Sequence, residues 1–292
     1  MRPFFRTLAG LGIITFYFSF LLTTTLVAQL LNPNFLTKSL KKPGVYGYVE
    51  QALKIAARDA LRENLKKEGV NLENLTTGQR AKIEKEMDTL LNPITKENIQ
   101  EFSEANIHNI LDYVNGKSDR LIIYLPLKKW GIAEAQTSQL PEYLTNENLD
   151  VLELIDQGNL NMSKTEVTSI KNLGVKIRFW WIVSIISLSL TIFLHYLLGG
   201  KDRKLENTLS FMFYEGFITL LGAWILNVIV KTFGEGLEAK RKAMEILLGT
   251  IVPALLAETI KLWIIFGVTT ILLTFFISYA ANNIAKNRVA KI

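Results

Sequence analysis

The sequence predicts a mainly α-helical membrane protein: a four-helix transmembrane bundle with a mostly helical extracytoplasmic domain inserted between spans 1 and 2. Two observations predict this fold class. Four stretches of the chain are apolar over about 20 residues, the length that crosses a hydrocarbon core of ~30 Å. The polar segment 32–175 separates the first of these stretches from the other three.

Charge is distributed unevenly along the chain. Residues 31–175 hold 18 Lys and Arg against 20 Asp and Glu, which leaves 15 basic and 7 acidic residues of the chain totals of 33 and 27 for the rest. A basic excess beside apolar spans suits contact with anionic lipid headgroups. Nucleic-acid binding usually needs a basic face on a folded soluble domain. We therefore expect a bilayer with anionic headgroups as a partner, and no nucleic acid.

The first apolar stretch, residues 8–31, contains no charged residue and is followed by Asn32-Pro33. A cleaved signal peptide has an apolar core of only about 7–15 residues, so we expect this helix to be retained. Arg2 and Arg6 precede it and favour a cytoplasmic N-terminus. Residues 1–31 are therefore predicted to form the cytoplasmic N-terminus and transmembrane helix 1.

Residues 32–175 are predicted to form the extracytoplasmic domain. Apolar residues four apart predict a helix over 45–65, and similar patterns predict helices over 77–91 and from Thr95 to Asn115. Residues 121–127 are β-branched and aromatic, which indicates a strand. Residues 136–171 have weak periodicity, apart from a short helix at 149–155, and we expect them to form a loosely packed arm.

Residues 176–292 are predicted to be a three-span block, with spans at about 177–198, 207–230 and 262–281. Lys201, Arg203 and Lys204 lie in a short loop, and this loop and the basic C-terminal tail are predicted to be cytoplasmic. The expected interfacial charges at the other end of the spans are Arg178, Lys231, Glu258 and Lys261. Residues 232–261 then form an outer segment, which either lies in the headgroup plane or dips into the membrane and returns.

Each span carries a stripe of small or polar residues at spacings of three and four, which places them on one helix face. In chain order the stripes are Gly12, Thr15, Ser19 and Thr23; Ser184, Ser187, Thr191 and His195; Glu215, Thr219 and Gly222; and Gly267, Thr270, Thr274 and Ser278. The intramembrane polar candidates are Glu215, His195, Thr191 and Thr219. Such stripes serve close helix packing, or they line a hydrated path or a ligand cavity. Because a carboxylate inside a span is costly, we hypothesise that Glu215 pairs with His195 or that burial keeps it protonated.

The residue inventory argues against several kinds of site. The chain has no cysteine and two distant histidines, so we expect no metal site, and no motif for a cofactor or a catalytic residue is visible. Residues 111–116 followed by 121–127 resemble a pattern in uncharacterised bacterial four-span membrane proteins with one large periplasmic loop. This resemblance implies a bacterial envelope location and supplies no activity and no functional residues.

These observations favour an inner-membrane protein whose extracytoplasmic domain, residues 32–175, binds a protein partner or senses the envelope. The alternative is a small transporter or channel that uses the polar stripes and Glu215. An integral-membrane enzyme comes third, because the sequence contains no visible catalytic set. Homo-oligomerisation is compatible with each of these functions.

Overall fold

A computed structural model describes residues 2–70, 75–130, 143, 146–199, 204–235 and 243–289. The mainly helical fold class is confirmed, since 81% of the structure is helical. The elements, in chain order, are α1 (Arg2–Thr25), α2 (Pro33–Leu40), α3 (Val45–Lys67), α4 (Thr77–Leu91), α5 (Lys96–Val114), β1 (Ile122–Tyr124), β2 (Asn148–Asp150), α6 (Val151–Asp156), α7 (Lys164–Ile170), α8 (Leu173–Leu198), α9 (Lys204–Glu235) and α10 (Ala243–Val289). A π-helical turn, Leu26–Leu30, extends α1.

The chain divides into two compact units. One contains Met1–Asn32, Gly174–Val230 and Leu256–Ile292, and the other contains Pro33–Leu173 and Lys231–Leu255. The first unit holds the long apolar helices, and the second holds the sheet and the shorter helices. We call them the bundle and the domain.

Four helical stretches are long and apolar enough to cross a membrane. They are Arg2–Leu30, Lys164–Leu198, Lys204–Thr232 and Gly249–Ala281. Many of their large apolar side chains are exposed in the isolated chain, as expected of surfaces that face lipid. The predicted membrane boundaries, the inner-membrane location and the sidedness of the termini remain predictions.

The fourth of these stretches continues further toward the N-terminus than the predicted span 262–281. α10 is one helix of 47 residues with Pro253 inside it. An excursion of the outer segment 232–261 into the membrane and back would need a turn, and its described parts, 232–235 and 243–261, are helical. The rest of the segment, 236–242, and the loop residues Lys201 and Arg203 lie outside the described residues.

The domain is built on the predicted helices. Thr76 and Gln79 form a capping box at the start of α4, in which the Thr76 side chain accepts from the Gln79 backbone and the Gln79 side chain binds the Thr76 backbone. The Thr95 side chain likewise accepts from the Asn98 backbone at the start of α5. These caps satisfy amide groups that a helix leaves free at its start, so the predicted starts near residues 77 and 95 are confirmed.

The predicted strand is short and is fixed at both of its edges. β1 pairs with β2 in antiparallel register, with Ile123 opposite Leu149. At the other edge the buried Asn106 side chain donates to the Tyr124 carbonyl (2.9 Å) and accepts from the Tyr124 amide (2.8 Å). One amide side chain of α5 therefore takes the place of a third strand.

The expectation of a loosely packed arm is wrong for its described part, 146–171. Val151 and Val167 lie in the same buried cluster as Tyr113 and Leu121. The Tyr113 hydroxyl also donates to the Val167 carbonyl at 3.4 Å. This segment completes the core of the domain through isolated apolar residues, too few to give a periodic pattern.

Candidate functional site

Two tryptophans tie α1 to its neighbours at the end of the bundle where the first apolar stretch finishes. Trp181 Nε1 donates to Thr24 Oγ1 at 2.9 Å, and Trp263 Nε1 donates to Thr25 Oγ1 at 3.0 Å. Both bonds satisfy an indole N–H that hydrocarbon cannot satisfy. α8 runs antiparallel to α1, because Gly12 lies beside Thr191 and Thr24 lies beside the earlier residue Trp181. α10 also runs antiparallel to α1, because Tyr17 contacts Thr270 and Thr25 contacts Trp263.

The centre of the bundle is a hydroxyl cluster around Tyr17, which is 4% exposed. The Tyr17 hydroxyl lies 3.0 Å from Thr270 Oγ1 and 3.4 Å from Thr219 Oγ1. Thr219 Oγ1 also donates to the Glu215 carbonyl at 2.8 Å, and Thr274 Oγ1 donates to the Thr270 carbonyl at 2.8 Å. The cluster joins α1, α9 and α10 by direct contacts. We call it the Tyr17 cluster.

Glu215 lies one helical turn from Thr219 and is 4% exposed. Within the described residues its carboxylate has no hydrogen-bond or ion-pair partner, and its backbone carbonyl accepts from Thr219. The next residue, Gly216, lies so close to α10 that an added Cβ would be 2.8 Å from Ile271 and 3.0 Å from the Gly267 carbonyl. Glu215 therefore sits beside a tight crossing of α9 and α10.

The structure does not bring His195 and Glu215 together. His195 is 2% exposed, its Nδ1 lies 2.9 Å from Thr208 Oγ1, and its ring packs edge-on against Phe211. Phe211 lies one turn from Glu215 along α9, toward the Arg2 end of the bundle. The hydroxyl of Thr208, which no sequence pattern singled out, is thus the observed partner of this histidine.

Thr191 uses its hydroxyl within its own helix. Thr191 Oγ1 donates to the carbonyls of Ser187 and Leu188, each at 2.9 Å. Its methyl group packs against Gly12, where an added Cβ would be 2.8 Å away. Thr191 and Gly12 therefore serve the close packing of α1 against α8. Close packing is one of the two roles expected above for the stripes of small and polar residues.

Two of the four predicted interfacial charges, Glu258 and Lys261, lie inside the apolar stretch Gly249–Ala281 and not at its end. Lys261 and Glu258 form an ion pair at 2.9 Å, and the adjacent Thr259 donates to Gln29 at 2.7 Å, close to the end of the first apolar stretch. Arg178 lies one turn before Trp181 in α8. Lys231 is near the end of α9, in the other unit. Their position relative to headgroups remains a prediction.

The domain carries a polar cavity of about 620 Å³ beside β2 and α6. Arg120, Asp150 and Glu153 line it together with several amide side chains, among them Asn148, Asn159 and Gln157. The Asp150 carboxylate caps α6 by accepting from the Leu152 and Glu153 amides. The Gln157 side chain donates to Glu153 at 3.1 Å and accepts from Asn159 at 3.0 Å. Arg120 Nε lies 3.9 Å from the Asp150 carboxylate. A polar ligand would therefore contact the donors and acceptors that these bonds leave over.

Other charged groups of the domain hold its elements together. The Glu101 carboxylate accepts from Lys129 Nζ at 2.6 Å and from the Tyr124 hydroxyl at 2.8 Å, and these hydrogen bonds lower the pKa of Glu101. Burial, with the Glu104 carboxylate nearby, raises the pKa of Tyr46 to about 12. Lys41 pairs with Glu104 at 2.9 Å. These groups join α3, α5, β1 and the turn that follows α2.

Comparison with known protein families, characterised proteins and solved structures finds no match to this chain. The described residues also contain no cluster of three or more His, Cys, Asp or Glu side chains placed to hold a metal ion. The candidate sites are therefore the polar cavity of the domain and the intramembrane group of Glu215 and the Tyr17 cluster.

We expect Tyr17→Phe to destabilise the bundle by about 1 kcal/mol, because it leaves the Thr270 and Thr219 hydroxyls without a side-chain partner in an apolar interior. Reversible unfolding of the full chain in mixed micelles measures this change. Tyr214→Phe is the matched control, since Tyr214 is 62% exposed on the surface of the same bundle. Equal stability of the two variants would contradict the importance of the cluster.

Proposed function

We propose that this chain is a multi-pass protein of the bacterial inner membrane whose domain binds a polar partner outside the cytoplasm, with the bundle as its anchor. The polar cavity beside β2 and α6 carries the proposal. It combines a cation, Arg120, with a carboxylate, Glu153, and with amides that donate and accept hydrogen bonds. Such a surface suits a peptide segment or another hydrogen-bonding group of the envelope.

The fold supports this division of labour. The domain has a buried core of its own, and its strand is pinned by Asn106, so its cavity is held by a rigid frame. In the bundle the hydroxyl groups of Tyr17 and Thr270 contact each other directly. Packed glycines at the α9–α10 crossing bring those helices close together. A packed bundle suits an anchor.

The natural absence of cysteine allows a direct test with single cysteine variants. We expect Asn159→Cys, at the cavity, to react in intact cells with a membrane-impermeant maleimide that carries a benzophenone. Illumination should then join it to one partner. Lys82→Cys, on the exposed surface of α4, should be labelled without giving that adduct. Glu206→Cys should be labelled only after permeabilisation, because it lies on the cytoplasmic side in this proposal.

Two results would overturn the proposal. Labelling of Glu206→Cys in place of Asn159→Cys in intact cells would reverse the topology. The same adducts from the cavity and from α4, or none from the cavity, would show that the cavity is not the binding surface.

A second candidate function, a small transporter or channel, is favoured by Glu215. A buried carboxylate without a partner among the described residues is a group that takes up a proton or a cation. The two functions can be separated by measuring proton flux into liposomes that contain the reconstituted chain and a pH-sensitive dye. An anchor gives no potential-driven proton flux above that of empty liposomes. A proton pathway gives flux that Glu215→Gln abolishes and that the exposed control Glu206→Gln retains.

A further inference from the structure

A cavity of about 450 Å³ opens at the Arg2 end of the bundle. It is lined by two arginines of the first turns of α1, Arg2 and Arg6, by Thr7, and by His195 of α8. Arg2 is exposed and Arg6 is half-buried. The lining contains no carboxylate, and neither arginine forms an ion pair with a described residue. The cavity therefore presents two guanidinium groups with no carboxylate among its described lining residues, and guanidinium groups recognise phosphate by paired hydrogen bonds.

His195 supplies a buried polar group of this cavity. Its Nδ1 is engaged by Thr208, and its ring is held by Phe211. Nε2 has no partner within the described part of the chain, although the residue is 2% exposed. Because the Thr208 hydroxyl donates to the Lys204 carbonyl at 3.0 Å, Nδ1 is the donor to Thr208, and Nε2 is left as an acceptor for a ligand hydroxyl.

An apolar groove of about 650 Å³ shares Leu198 with this cavity and runs between α1 and α8. Its lining includes Phe5, Leu8, Thr15, Phe16 and Leu194. From Phe5 to Phe16 the helix rises about 16 Å. Half of a hydrocarbon core is ~15 Å deep. The groove therefore matches the length of one acyl chain that starts at the membrane surface.

We propose that one phospholipid binds at this position, with its phosphate between Arg2 and Arg6, a headgroup hydroxyl at His195 Nε2, and one acyl chain in the groove between α1 and α8. The basic cavity lies at the end of an apolar span, where a lipid headgroup lies, and the apolar groove leads inward from it, as an acyl chain does. The inference is independent of what the domain binds.

Titration of the purified full chain in detergent with dioctanoyl phosphatidylglycerol tests the site, and inorganic phosphate serves as a second probe. The double substitution Arg2→Gln with Arg6→Gln should weaken binding of both probes about tenfold or more, since it removes charge-assisted hydrogen bonds. Arg178→Gln is the matched control, because it is also a half-buried arginine near the end of a span, and should change neither affinity.

Thr15→Trp distinguishes a lipid from a free anion. Thr15 is exposed in the groove, so a tryptophan there fills the groove without displacing the packed interior. It should weaken lipid binding about tenfold and leave phosphate binding unchanged. Lipid affinity that survives Thr15→Trp, or that survives the arginine substitutions, overturns the proposal. If the double variant does not fold, Arg2→Gln alone, at an exposed position, and Thr15→Trp carry the test.

Discussion

The scarcity of hydrogen-bond partners in a bilayer core is the constraint on which the bundle depends. Lipid offers no donor or acceptor to a buried hydroxyl or indole. α1 meets this constraint at its centre and at its C-terminal end, since Tyr17 contacts Thr270 and Thr219, and the Thr24 and Thr25 hydroxyls accept from Trp181 and Trp263. The first span therefore connects the other three. The Glu215 carboxylate does not meet this constraint, since it has no partner among the described residues, and for that reason Glu215 favours a second candidate function.

The sequence predicted three of the four inward faces of the bundle and missed that of α1. The stripes that contain Ser184, Thr219 and Thr270 are buried as expected, because small and polar residues among apolar ones reveal a helix face. On α1 the buried face is Ala9, Ile13, Tyr17 and Leu21, in place of the stripe through Thr15. Tyr17 stands between two phenylalanines, and its hydroxyl partners lie more than 200 positions away, so no local pattern identifies it.

Only part of the domain could likewise be predicted from the sequence. Its longer helices were predictable because apolar periodicity and capping residues are local signals. Asn106 gave no signal, since an asparagine in a helix is ordinarily exposed, and only the tertiary fold brings it to the edge of β1. The segment 146–171 was misjudged because single apolar residues such as Val151 and Val167 complete a core that other elements supply.

A double-mutant cycle between Tyr17→Phe and Thr270→Val tests the central claim most directly, namely that a buried hydroxyl contact holds α1 against α10. Unfolding free energies of the wild type, both single variants and the double variant give the coupling. The structure predicts a coupling of about 0.6 kcal/mol or more, typical of hydrogen bonds between membrane helices. Additive effects of the two substitutions, within about 0.3 kcal/mol, would contradict it.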